Sequence, residues 1–200
     1  MPAFSVIGID LAGSLLRNTG ICLLRGMEIT EFATVNTDEQ ILKFTSRTKP
    51  NLIAIDAPLN LPPGRKSFDD RNGEHFRKCD RALLSRGIRF FPITLGPMRS
   101  LTLRGILLKK FLCRRGYKVI EIYPGAAQDV WKIARKQDGL HSLRRGLEGL
   151  GVKGLKKNMN GDELDAVTGA LVGRLYLQGK AEILGNFRQG AIVIPSLNYL

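Results

Sequence analysis

Two short apolar runs constrain this chain more than any other feature. Residues 4–11 (Phe-Ser-Val-Ile-Gly-Ile-Asp-Leu) and residues 51–57 (Asn-Leu-Ile-Ala-Ile-Asp-Ala) are apolar on both alternating sets of positions, and each ends on an aspartate. Small residues or proline follow: Asp10-Leu11-Ala12-Gly13 and Asp56-Ala57-Pro58. A strand apolar on both sides belongs in the middle of a sheet covered on both faces. In such α/β sheets the crevice beyond the carboxyl ends of the strands is the usual ligand site. Parallel neighbours would deliver Asp10 and Asp56 there about 5 Å apart. Carboxylates that close raise each other's pKa, and a divalent cation between them is the economical resolution. One aspartate ending a strand is often only a loop cap; two coinciding strand ends weaken that alternative.

A third segment adds to the pair. In Asp162-Glu163-Leu164-Asp165-Ala166 the two aspartates stand at i and i+3, on one face of a helix spanning 161–177. Ala166, Gly169, Ala170 and Gly173 are small at near-helical spacing, which lets this helix lie close on the sheet and bring its acidic end to the crevice. Asp162, nearest the helix start, serves the helix dipole as readily as a ligand role. Four carboxylates from three distant segments suit two-metal phosphoryl chemistry. Oxygen ligands, with no His or Cys pair at ligand spacing, select Mg²⁺ or Mn²⁺ over zinc.

The rest of the chain supplies the scaffold. Residues 19–25 and 27–35 are strand-like and form an antiparallel meander with the first run. Thr37-Asp38-Glu39-Gln40 is a capping box opening a helix to about Arg47. Prolines and Gly64 mark a loop from 58 to about 73. Helices are expected over 74–86 and 99–115, a fifth strand over 117–123, and a helix entered by Pro124. Residues 138–160 resist assignment, and 183–184 with 191–194 suit a closing hairpin. The order is that of one mixed-sheet α/β domain.

The 200 residues carry 31 Lys and Arg against 18 Asp and Glu, a formal charge of +13. The excess is segregated: residues 65–157 hold 23 basic and 8 acidic side chains, while the flanks holding the aspartates are nearly neutral. A localised excess attracts polyanions such as DNA or RNA; a generally basic surface is the plainer alternative. No run approaches the 18–20 apolar residues of a membrane span. Cys22, Cys79 and Cys113 are odd in number and far apart, and no basic signal region opens the sequence. Reduced thiols in a cytoplasmic protein are therefore expected.

Taken in order, Val6-Ile7-Gly8-Ile9-Asp10-Leu11-Ala12-Gly13, Ile53-Ala54-Ile55-Asp56-Ala57-Pro58-Leu59, Arg77-Lys78-Cys79-Asp80, Glu121-Ile122-Tyr123-Pro124 and Asp162-Glu163-Leu164-Asp165-Ala166 span nearly the whole chain. This set resembles the "domain of unknown function 429" family of predicted RNase H-like nucleases, which is similar in its acidic residues to RuvC-type Holliday-junction resolvases. The resemblance implies a ribonuclease H-like five-stranded mixed sheet, its first three strands antiparallel and strands 1, 4 and 5 parallel, flanked by helices. It also implies carboxylates at Asp10, Asp56, Asp162 and Asp165, and a homodimer is an expectation drawn from the junction enzymes. Asp56 departs from the pattern, standing where the resolvases carry the longer glutamate.

Several residues keep two readings. Glu121 is an accessory outer ligand or half of a structural ion pair. Arg71, Arg77 and Arg81 grip phosphate or form a solvated basic face with Asp80 paired locally. His75 and His141 are too separated for a metal site. Trp131, Phe90 and Phe91 suit the core better than a stacking platform. No P-loop, Rossmann or nucleophile-elbow motif is present. The sequence therefore reads as a Mg²⁺- or Mn²⁺-dependent nuclease acting on DNA or RNA. Its rivals are a non-catalytic nucleic-acid-binding module and a phosphotransferase of the actin/sugar-kinase type.

Overall fold

The computed structural model describes residues 4–70 and 73–196. The first apolar run forms β1 (Ser5–Asp10), followed by β2 (Thr19–Arg25) and β3 (Glu28–Val35). Helix α1 (Asp38–Thr48) starts on the expected capping box: Thr37 accepts from the Gln40 N–H, and the Gln40 side chain reaches back. The second apolar run is β4 (Leu52–Asp56). Then come α2 (Lys78–Leu84), α3 (Gly96–Arg114), β5 (Val119–Ile122) and α4 (Pro124–Trp131). Helix α5 (Leu140–Gly149), α6 (Gly161–Leu177) and the hairpin β6 (Ala181–Asn186) and β7 (Gly190–Pro195) complete the described chain.

The sheet runs β3-β2-β1-β4-β5-β7-β6. β1 is antiparallel to β2 and parallel to β4, and β5 is parallel to β4, as expected. Among the described residues the expected count of five strands is corrected to seven. The closing hairpin does not stand apart; β7 pairs with β5 in parallel and carries β6 beyond it. Without it β5 would present unpaired backbone groups at an open edge.

Alternate residues of the central strands feed two cores. Val6, Leu52 and Ala54 pack beneath α6 with Ala166, Val167 and Ala170. Ile7, Ile9, Ile53 and Ile55 point the other way, toward Leu108 and Leu112 of α3 and Ile41 and Phe44 of α1. Period-two alternation into two apolar faces is what the unbroken apolar runs encode. A third cluster joins Cys79 and Leu83 of α2 to Leu184, Ile192 and Ile194 of the hairpin.

Several boundaries differ from expectation. α2 begins at Lys78, not at 74, because Asp80 accepts the Arg77 backbone N–H and starts the helix there. α3 starts three residues early, with Pro97 in its first turn. Within 138–160, α5 forms by burying Leu143 and Leu147. Trp131 lies in the core as expected, but Phe91 is 77% exposed.

α6 lies against β1 and β2 with almost no gap. A Cβ on Gly8 would stand 1.9 Å from the Ala166 carbonyl oxygen, and one on Gly20 would stand 2.1 Å from that of Asp162. Both obstacles are backbone, so the helix itself would have to move. Gly8→Ala is therefore expected to cost about 3 kcal/mol through overpacking. A melting temperature lower by roughly 6–12 °C is the corresponding readout; an unchanged value would contradict this packing.

Candidate metal and nucleic-acid site

The register places the two strand-end aspartates side by side: Asp10 pairs with Asp56 where β1 runs parallel to β4. α6 adds its first turn from above. Asn160 caps it by accepting from the Glu163 N–H. Close packing on Gly8 and Gly20 holds Asp162 and Asp165 over the ends of β1 and β2.

The point these carboxylates surround already holds a positive charge. The Nζ of Lys136, on a short 3-10 turn (Lys136–Asp138), lies 2.9 Å from Asp10 Oδ2, 3.0 Å from Asp162 Oδ1 and 3.0 Å from Asp165 Oδ2. Asp165 Oδ1 also accepts from Gln128 Nε2 on α4 at 2.7 Å, and the same amide donates to Thr168 Oγ1. The Asp56 side chain receives neither a hydrogen bond nor an ion pair from the described residues.

One ammonium does not balance four carboxylates, and the protonation energetics show it. Burial, with Asp165 and Asp162 adding to it, pushes Asp10 up to about 7 even though Lys136 pulls it down. Burial also raises Asp56 well above the usual carboxylate range, with Asp10 and Asp165 contributing. Asp165 is raised by burial against the opposing pull of Lys136 and Gln128. Lys136 moves up in turn: burial disfavours its charge, but Asp10 and Asp165 outweigh it. Deprotonating carboxylates whose folded pKa is raised costs stability, since the folded state binds more protons than the unfolded one. Metal-free protein should thus lose stability as pH rises from about 4, the unfolded value, toward about 7. Urea midpoints across that range, compared with those of Asp10→Asn, test this; equal slopes in both proteins would refute it.

The donor set fits a hard divalent cation in chemistry: all facing groups are carboxylates, and they already enclose a cation. The spacing is that of an ammonium. Mg²⁺ requires oxygens at about 2.0–2.1 Å. As it stands, no group of three His, Cys, Asp or Glu side chains among the described residues is set to hold a metal ion.

The other candidates resolve differently. Glu121 is not free for a metal. It accepts from Arg77 Nη1 and Nη2 at 2.7 Å each, and from the Leu59 N–H at 2.8 Å. Arg77 is 1% exposed and also donates to both carboxylate oxygens of Asp80, at 2.8 and 3.1 Å. Its guanidinium therefore braces β5, α2 and the loop after β4, and the phosphate-gripping expectation for Arg77 is corrected to a buried structural role. Arg81 is exposed and paired with Glu74, while Arg71 lies outside the described residues. His75 is exposed beside Thr94. A cavity of about 170 Å³ opens beside Asp56, walled mainly by apolar and aromatic side chains, including Phe90, Phe91, Met98 and Tyr123.

Two members of the cluster were not singled out from sequence, Lys136 and Gln128. Nothing local marks Lys136 among the lysines around it. Gln128 sits in the helix that Pro124 announces, but its partner is 37 positions away. Arg104 likewise carries no local signal of its role. Largely buried, it donates to the Ala12 and Asn36 carbonyls and to Asp38, which pins the loop leaving β1.

No protein-family model matches the chain, and no curated protein matches it in sequence. Among solved structures, Thermus thermophilus RuvC in complex with a Holliday junction substrate aligns over 90% of this chain and 98% of its own, with a TM-score of 0.49 and 16% identity. A second Thermus thermophilus RuvC structure aligns over 88% of this chain and 96% of its own, with a TM-score of 0.49 and 15% identity. No helix among the described residues is long and apolar enough to cross a membrane.

Proposed function

We propose that this chain is a nucleic-acid-cleaving phosphodiesterase dependent on Mg²⁺ or Mn²⁺, built as one ribonuclease H-like domain. The observation that carries the reading is the convergence of Asp10, Asp56, Asp162 and Asp165 beyond the carboxyl ends of two parallel strands, delivered by β1, β4 and α6. The strand order and directions of β1 to β5 are those the ribonuclease H-like reading requires. The net charge of +13, concentrated in residues 65–157, supports a polyanionic substrate.

In this reading Asp10 and Asp56 are the central ligands, and Asp165 with Asp162 completes the shell. A divalent ion bound there supplies Lewis-acid stabilisation of the phosphoryl oxygens and a nucleophile at neutral pH. The protein contributes placement. Gln128 fixes the rotamer of Asp165, Arg104 holds the loop leaving Asp10, and the Arg77–Glu121 pair anchors the loop leaving Asp56.

One observation favours a second reading. Lys136 already neutralises part of the cluster, as a binding module without metal would need. Labelled single-stranded, duplex and branched DNA and RNA, incubated with each metal and with EDTA, separate the two. The nuclease reading expects cleavage with metal and none with EDTA. Salt-sensitive, EDTA-insensitive binding with no cleavage of any substrate would leave the binding module standing.

A further inference from the structure

Lys136 places a cation among Asp10, Asp162 and Asp165, and its mounting differs from that of the carboxylates around it. Those are fixed by strands and by a packed helix. Lys136 reaches in from a short 3-10 turn at the rim, its side chain 39% exposed. The stem lies along the start of α6, where a Cβ on Gly161 would meet its Cδ at 3.1 Å. The turn itself is held independently: Asp138 accepts the Arg135 N–H at 3.0 Å, and Arg135 Nε donates to Asp129 at 2.8 Å. The ammonium can therefore leave by side-chain rotation alone, with the backbone staying in place.

We infer that Lys136 is a tethered counter-cation of the acidic site, displaced by divalent metal on loading, and that it sets the site's metal affinity. This rests on the metal-dependent reading above. Charge provides the driving force. One ammonium contacts three carboxylates, and the Asp56 side chain beside them makes no hydrogen bond or ion pair with the described residues; divalent ions neutralise such a cluster more completely. The exchange also explains how buried carboxylates coexist before metal arrives. The apo site is partly neutralised from within, and it accepts metal only when binding is strong enough to evict the lysine.

The test uses the intact chain and Mn²⁺ alone. Titration calorimetry on wild type and Lys136→Met should show the variant binding Mn²⁺ about tenfold more tightly or better, because one competing charge has been removed. Should Lys136→Met fold poorly, wild type answers by another route. The Lys136 amine should react faster with acetic anhydride, read by peptide mass spectrometry, once Mn²⁺ saturates the protein. Equal or weaker Mn²⁺ binding by a folded variant, or unchanged Lys136 labelling, overturns the exchange while leaving the nuclease reading intact. No Mn²⁺ binding by either protein overturns both. Tighter binding by the variant with no cleavage by wild type upholds the exchange and sinks the nuclease reading alone.

Discussion

Asp10→Asn is expected to lose Mg²⁺- or Mn²⁺-dependent cleavage by a factor on the order of 10³, comparable to removing one group that stabilises transition-state charge. It should melt no earlier than wild type. The two effects share one cause. Asp10 is held up to about 7 because its charge is buried beside Asp165 and Asp162, so a neutral amide of the same shape relieves both the desolvation and the repulsion. Lys136 would keep Asp162 and Asp165 as partners. An inactive variant at least as stable as its parent is the signature of a residue kept for chemistry. Cleavage at the wild-type rate would sink the nuclease assignment. Inactivity with a collapsed melting temperature would make Asp10 a structural residue instead.

The largest expected loss of stability lies outside the acidic cluster. Arg77→Met should cost about 3–5 kcal/mol, the usual penalty for stranding a buried partner charge. For a chain of this size that lowers the melting temperature by roughly 10 °C. Arg77 satisfies Glu121 and Asp80 together. Burial already raises the Glu121 pKa despite the guanidinium beside it. Removing that guanidinium leaves two carboxyls with no solvent to turn to. Adding Asp80→Asn and Glu121→Gln to Arg77→Met should recover much of the loss, since buried ion networks replaced as a whole often cost little. A single variant melting within about 2 °C of wild type would show that water reaches the network. The variant should also cleave poorly in proportion to its disorder, because Glu121 holds the Leu59 N–H just past Asp56.

The readable parts of this chain were those with a local physical signature. β1 and β4 declared themselves by apolar residues on both faces, and α6 by its acidic start and small residues at helical spacing. Two buried aspartate-ended strands and helix 161–177 were therefore legible locally, while the parallel pairing of the strands came only as what the resemblance implied. Strand count failed at β6 and β7. Their hairpin was visible, but whether it docked depended on the free edge of β5, which no window around residues 181–195 describes. α2 was drawn too long because helical spacing cannot tell Glu74, exposed and paired with Arg81, from Arg77, which turns inward.

The amino-acid sequence by itself determined which carboxylates end strands and which open a helix, because capping, periodicity and apolar alternation act over a few residues. Tertiary structure alone decided which charges face them. Lys136 meets Asp10 across 126 positions and Arg77 meets Glu121 across 44. Such pairings depend on where the chain returns, and desolvation, which gives them their energy, exists only once the core has closed.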